Sequence, residues 1–128
     1  MSSSASETKS VTIKSGPGGR ITLQGGGQTS NFGMFEFYDY FEATFMDLDI
    51  TNGNTDGDGA AFEVSGYAQL TLIDVTLSGH SAGGDGGAIF LSTYNAAGLV
   101  LTSCSFTDIT TAGSGGGALY ASACKIYS

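Results

Sequence analysis

Hydrophobic and polar positions alternate in short stretches of the chain, and clusters of Gly, Asp, Asn and Ser separate these stretches. Triplets similar to FEF at 35–37 recur as FEV at 62–64, IFL at 89–91 and LYA at 119–121. Because side chains of a strand alternate between two faces, the outer residues of each triplet share one apolar face. The pattern predicts short β-strands divided by turns.

The stretches also recur at a nearly constant spacing. Phe35, Phe62, Ile89 and Leu119 follow one another by 27, 27 and 30 residues. A fixed period in this range indicates a repeat architecture, in which equivalent positions of successive units stack and bury one another. The spacing therefore predicts a parallel β-helix whose coils are about 4.8 Å apart.

In the second half of each unit the alternation skips one position. The apolar residues on either side of the skip are Ala43, Phe45, Leu48 and Ile50, then Leu70, Leu72, Val75 and Leu77, then Leu99, Leu101, Cys104 and Phe106. A straight strand cannot change faces, so a bend must lie at the skip. Asp47, Asp74 and Ser103 stand there, and such residues tolerate bends.

These patterns predict an all-β fold, a right-handed parallel β-helix (solenoid) of about four coils with three short strands per coil. The general preference of crossover connections supplies the handedness. Residues 1–10 are polar and Ser-rich and are expected to be a flexible leader, and residues 11–128 the β-helix domain. Since the sequence stops within a coil, we expect a fragment or an uncapped module, with protein neighbours covering the ends.

Charge and cysteine content limit the partners that the protein can bind. The net charge is −8, with only four Lys and Arg residues, which excludes nucleic acid as a partner. Membrane insertion is not expected, because apolar stretches fall short of about 20 residues. No secretory signal peptide is visible in MSSSASETKS. Cys104 and Cys124 are the only cysteines, and a disulfide and free thiols both stay open.

The segment GLVLTSCSFTDITTAGSGGGALYAS at 98–122 resembles the polymorphic outer-membrane-protein type of repeat, found in right-handed β-helices of the pectate-lyase-like superfamily. The GGAI motif corresponds to residues 86–89 and 116–119. The chain departs from that repeat where Asn is usual, since Gly53, His80 and Ile109 occupy the place. The resemblance implies surface or secreted proteins of adhesion and assembly, or carbohydrate-active enzymes.

Catalytic residues are sparse, and no enzyme activity is predicted. Polysaccharide lyases and hydrolases need a basic residue beside Asp-bound Ca²⁺, or paired carboxylates. Arg20 is the only arginine and lies in the first partial coil, and His80 is expected to be a solvated turn residue. A basic residue near the stacked Asp47 and Asp74 is not expected.

One turn partly follows a Ca²⁺-binding loop pattern. In NGNTDGDGAAFE the oxygen donors would be Asn52, Asn54, Asp56 and Glu63, with Gly57 at the turn. Asn replaces the usual first Asp, and a polar turn between coils is the favoured interpretation. No other cofactor is expected.

Aromatic residues crowd the predicted outer positions and form the candidate ligand-binding set: Tyr38, Tyr40, Tyr67, Phe90, Tyr94 and Tyr120. Exposed aromatic side chains can mark protein or glycan contact surfaces, and packing among stacked loops is the other interpretation of this set. The sequence thus favours a non-catalytic structural or adhesive interaction module of an extracellular or cell-surface assembly. The alternative is a carbohydrate-binding or polysaccharide-cleaving β-helix fragment.

Overall fold

The computed structural model describes residues 9–27, 33–94, 98–113, 115, 117–121 and 125–127. These residues form a parallel β-solenoid of about three turns and include no α-helix. Most of the predicted leader, Gly116 of the second GGAI-like motif and Cys124 lie outside the described residues.

The described residues form fourteen strands. In chain order they are β1 (Lys9–Lys14), β2 (Ile21–Gln24), β3 (Phe35–Phe37), β4 (Phe41–Thr51), β5 (Asn54–Thr55), β6 (Phe62–Gly66), β7 (Gln69–Ser78), β8 (Ser81–Ala82), β9 (Ile89–Thr93), β10 (Leu99–Thr102), β11 (Ser105–Thr107), β12 (Thr110–Thr111), β13 (Leu119–Ala121) and β14 (Lys125–Tyr127).

The strands pair in parallel as three sheets, each lying along one side of the solenoid. The first follows the order β1-β4-β7-β10-β14, with β2 also on β4 and β11 on β7. The second follows β3-β6-β9-β13, and the third β5-β8-β12. Three complete turns therefore carry one segment in each sheet, and partial turns precede and follow them. The predicted number of about four coils included such a partial turn.

The predicted stacking of equivalent residues is confirmed. Phe62 lies between Phe35 and Ile89 in the ladder, and Leu119 follows Ile89. The register of the second column is likewise Ala43, Leu70 and Leu99. The inward residues are buried because each turn covers the apolar face of the previous one. The fully buried large side chains are Phe45, Leu48, Ile50, Phe62, Val64, Leu70, Leu72, Leu77, Ile89, Leu91, Leu99 and one polar residue, His80.

At the skipped positions the backbone enters the left-handed region. The φ angles are 58° at Asp47, 54° at Asp74 and 55° at Ser103. One left-handed residue turns the following side chains back to the core, which keeps both halves of the column inward. In the first two turns the bend lies within one long strand, β4 or β7, whereas in the third it separates β10 from β11. The apolar segments on both sides of the bend thus share one sheet.

The third strand of each complete turn lies in a segment of the Gly, Asp, Asn and Ser clusters, which the sequence pattern predicts only as a turn. A second left-handed column, Asn52, Gly79 and Asp108, has φ of 61°, 71° and 52° and ends the long strands. Two-residue strands follow it, β5, β8 and β12. Pairs such as Asn54–Ser81 are too short and polar to show a periodic signal in the sequence.

Candidate functional site

Three tyrosines stack on the outside of the solenoid, one per turn. Tyr40 precedes β4, Tyr67 lies between β6 and β7, and Tyr94 follows β9. They are separated by 27 residues each, so they occupy equivalent places where the chain passes from the second sheet to the first. We call Tyr40, Tyr67 and Tyr94 the tyrosine ladder.

The backbone beside the ladder fixes its spacing. Asp39 and Gly66 have φ of 59° and 71°, which turns the chain outward before each of the first two rings. A Cβ on Gly66 would lie 2.9 Å from the Asp39 backbone nitrogen, so only glycine fits this approach. The Tyr94 N–H donates to the Gly66 carbonyl at 2.7 Å, and that bond ties the third turn of the ladder to the second.

The rings of the ladder contact one another and stay open to solvent. Tyr40 and Tyr67 have ring centroids 5.0 Å apart with planes inclined by 1°. Tyr67 and Tyr94 are 5.3 Å apart, inclined by 47°. The exposed fractions rise along the ladder from 38% through 48% to 80%. The first two rings thus cover each other on one face, whereas Tyr94 is inclined to its neighbour and is the most exposed ring of the ladder.

The other predicted aromatic residues lie apart from the ladder. Phe90 and Tyr120 stack on the outer face of the second sheet, with centroids 4.9 Å apart and planes inclined by 9°. Tyr38 is 62% exposed and makes no ring contact with another described residue. The six candidates thus divide into the ladder, a separate pair and a single exposed ring.

Arg20 corrects the expectation that no basic residue lies near the carboxylates. Its Nε donates to the Asp49 carboxylate at 2.8 Å, and Nη1 lies 3.5 Å from a carboxylate oxygen of Asp74. Its Nη2 also donates to the Leu48 and Asp74 carbonyls, both at 3.0 Å. The hydrogen bond to Asp49 raises the pKa of Arg20 further. A guanidinium held in this way ties together successive turns and is not an available base.

His80 is buried, so its interpretation as a solvated turn residue is wrong. Its Nδ1 accepts the Gly53 N–H at 2.9 Å, and its Nε2 lies 2.9 Å from the Ile50 carbonyl, to which it donates as the Nε2–H tautomer. Burial lowers the pKa of His80, so the imidazole stays neutral near pH 7. These two hydrogen bonds to backbone groups explain why a polar side chain is tolerated at this inward position.

The four candidate Ca²⁺ donors do not share one surface depression. Asn52 and Asn54 line one with Gly79 and Asp108, at the second left-handed column. Glu63 lines another, together with residues that include Glu36 and Asp58. The part of the chain that the structure describes contains no group of three or more His, Cys, Asp or Glu side chains arranged to hold a metal ion.

Carboxylates crowd this second depression. Glu36 and Glu63 are in register on neighbouring strands β3 and β6. Partial burial raises the pKa of Glu63, and the charges of Glu36 and Asp58 raise it further. Close carboxylates of this kind repel one another and hinder ionisation.

The sequence did not reveal a chain of side-chain bonds between turns. The Asp58 carboxylate accepts the Asp85 N–H at 2.7 Å, and the Asp85 carboxylate accepts the Gly115 N–H at 2.9 Å. The only signal in the sequence is the recurrence of Asp before the Gly-rich corner, a pattern that is also typical of a polar turn.

Cys104 is half-buried against the core, and its thiol donates to the carbonyls of Leu72 and Thr102. Since Cys124 is not among the described residues, the question of a disulfide stays as the sequence left it.

Searches of protein-family models, curated proteins and solved structures found no match to the chain. No helix in the described residues is long and apolar enough to span a membrane.

Proposed function

We propose that the protein is a non-catalytic structural and adhesive interaction module of an extracellular or cell-surface assembly, and that the tyrosine ladder contacts its partner. The observation that carries the proposal is the in-register ladder itself, with rings 5.0 and 5.3 Å apart and up to 80% exposed. Tyrosine is enriched at protein interfaces because its ring buries a large apolar area while the hydroxyl stays hydrogen-bonded.

The ordered backbone beside the ladder supports this function. Tyr67 lies between Gly66, at the end of β6, and Ala68, which is fully buried. A contact residue whose backbone is already ordered loses less conformational entropy when it binds. The fold therefore sets the backbone positions of the contact surface before binding, with one ring for each turn of the solenoid.

The chemistry of the candidate catalytic residues gives less support to a cleaving enzyme. The donors of Arg20 are directed at carboxylates and carbonyls of the bend, and His80 is buried with both ring nitrogens bonded. General acid–base catalysis requires a titratable group that can reach the substrate. Glycan stacking also prefers an open ring face, whereas Tyr40 and Tyr67 cover each other.

The resemblance of the repeat supports the same proposal. The GGAI motif at 86–89 forms a corner at which Gly86 has φ of 64°. We propose on this basis that the chain is a right-handed β-helix of the pectate-lyase-like kind with polymorphic outer-membrane-protein-type repeats, used here for adhesion and not for catalysis.

Immobilised protein tested against arrays of extracellular-matrix proteins and glycans would measure this function. We expect binding that the triple substitution Tyr40→Ser, Tyr67→Ser and Tyr94→Ser abolishes, while the matched control Tyr120→Ser on the separate pair retains it. Binding that the triple variant keeps would contradict the role of the ladder. Cleavage of any polysaccharide in a parallel assay with Ca²⁺ would contradict the non-catalytic assignment.

A further inference from the structure

We propose that Tyr67 and Tyr94 form a site of oxidative cross-linking, at which a peroxide-dependent haem peroxidase joins the two phenol rings as a dityrosine. The inference goes beyond the interaction function, because a ladder that resists oxidation could still bind a partner. It depends on the position, exposure and inclination of the two rings.

Their proximity is fixed by the fold. The ring centroids are 5.3 Å apart, and the Tyr94 N–H is bonded to the carbonyl of Gly66, the residue before Tyr67. Gly66 and Thr93 are also in register in the parallel pairing of strands β6 and β9. Two groups held together in this way have an effective concentration in the millimolar range or above. Two radicals on these rings meet without diffusion of separate molecules.

The inclination of the rings favours this pair over Tyr40 and Tyr67. The bond of a dityrosine joins the carbon atoms ortho to the hydroxyls and lies in the plane of both rings. The planes of Tyr40 and Tyr67 are inclined by only 1°, so a bond in the plane of both rings would require these two rings to turn out of their stack. Tyr94 is inclined by 47° to Tyr67 and is 80% exposed, so it has room to rotate toward its neighbour.

Each phenol loses one electron and its phenolic proton to the peroxidase, which gives two neutral tyrosyl radicals. The radicals couple through one ortho carbon of each ring, and the hydrogen on each of these carbons moves to the phenol oxygen as aromaticity returns. One hydrogen peroxide is reduced to two waters, which balances the two electrons and two protons removed. The chain contains no Trp, whose indole would compete for the oxidant.

The test treats the full chain at about 10 µM with a haem peroxidase and limiting hydrogen peroxide, and measures dityrosine fluorescence and the intact mass of the monomer. An effective concentration in the millimolar range predicts about 100-fold more intramolecular than intermolecular product. The monomer should therefore lose two hydrogens per molecule. Digestion with a protease that cleaves before Asp separates Tyr38, Tyr40, Tyr67 and Tyr94 onto four peptides, so the joined pair can be identified.

We expect the peptides of Tyr67 and Tyr94 to be joined, and Y67F to reduce the intramolecular product by about tenfold or more. The matched control Y38F removes an exposed phenol without a ring neighbour among the described residues, and should leave the yield unchanged. The same oxidation in concentrated urea should lose the selectivity, since the fold then no longer positions the rings. Three results would each overturn the proposal. They are a yield of intramolecular dityrosine in Y67F equal to that of the wild type, dityrosine formed mainly by other tyrosines, and covalent dimers as the main product.

Discussion

Two aromatic stacks in this protein have nearly the same geometry and opposite environments. Inside the solenoid, Phe35 and Phe62 have centroids 5.3 Å apart, and outside it Tyr40 and Tyr67 are 5.0 Å apart. Both spacings follow from the distance between neighbouring strands. Yet Phe62 is fully buried, whereas Tyr67 is 48% exposed. Stacking in register is therefore a property of the repeat, and burial determines whether a stack stabilises the fold or remains available to partners.

The largest effect should come from breaking the inner stack with Phe62→Ala. The ring of Phe62 also contacts Phe45 at 5.0 Å and Phe37 at 6.3 Å, so its removal leaves a large cavity. We expect a loss of about 3–5 kcal/mol in the free energy of unfolding, measured by urea denaturation. Such a loss is a large part of the stability of a small domain. A change below about 1 kcal/mol would contradict the packing described for this core.

The next largest effect concerns His80, a fully buried polar residue of the interior. His80→Ala leaves the Gly53 N–H and the Ile50 carbonyl without their partner, which should cost about 1–3 kcal/mol. His80→Asn should recover part of this loss if its amide reaches either backbone group. Denaturation curves of the three proteins at pH 8 would measure the difference, and equal stability of His80→Ala and wild type would refute the assignment.

The same residue predicts a dependence on pH. Burial lowers the pKa of His80 in the folded state, so the unfolded chain binds the proton more readily. The stability due to neutral His80 is therefore present above the unfolded pKa of about 6.5 and is lost as the pH falls through the lower folded value. Unfolding measured from pH 8 to pH 5 should show a decline that His80→Asn reduces. An identical decline in that variant would assign the effect to other groups.

A smaller effect on stability is expected for the outer stack. Tyr67→Ser removes a ring that is about half exposed and should change the free energy of unfolding by about 1 kcal/mol or less. The substitution should nevertheless interrupt the ladder between Tyr40 and Tyr94. Measuring Phe62→Ala under the same conditions compares the inner stack with the outer one directly. A similar loss in the free energy of unfolding in both variants would contradict the difference between the two stacks.

The smallest effect is expected at Glu63, on the outer face of the second sheet. The pKa of Glu63 is raised in the folded state, so its contribution is favourable below the unfolded pKa and is lost as the pH rises through the folded value. Glu63→Gln should therefore raise the melting temperature slightly at pH 7 and leave it nearly unchanged at pH 4. Glu42→Gln, on the exposed start of β4, is the matched control. A melting temperature of Glu63→Gln below that of the wild type at pH 7 would contradict the repulsion between Glu63 and its neighbouring carboxylates.

The columns of stacked residues were visible in the sequence because apolar alternation and a 27-residue period are long-range signals. They placed Phe35, Phe62 and Ile89 in register. The skip in the alternation marked the positions 47, 74 and 103, where the backbone is left-handed. These features depend on residue type and spacing alone, which a single sequence contains.

Other features depend on contacts that spacing does not encode. The short strands β5, β8 and β12 have no periodicity, and Arg20 reaches Asp49 and Asp74 only because the coils stack. His80 was misjudged because its flanking Gly and Ser suggest a solvated turn, while its two bonds to Gly53 and Ile50 come from the preceding coil. The sequence predicts exposed aromatic residues, but their division into a ladder, a pair and a single ring depends on how the coils stack.

The carboxylate bonds at the Gly-rich corners have a consequence for how such a chain can grow. The Asp58 carboxylate accepts a hydrogen bond from the Asp85 N–H, and the Asp85 carboxylate accepts one from the Gly115 N–H. Residues 59–85 therefore follow an Asp that accepts this bond and end with an Asp that accepts the next one. A tandem duplication of this cassette would connect to both neighbours through joints that already exist. Each added cassette would repeat this bond at its corner and add one further tyrosine to the row outside.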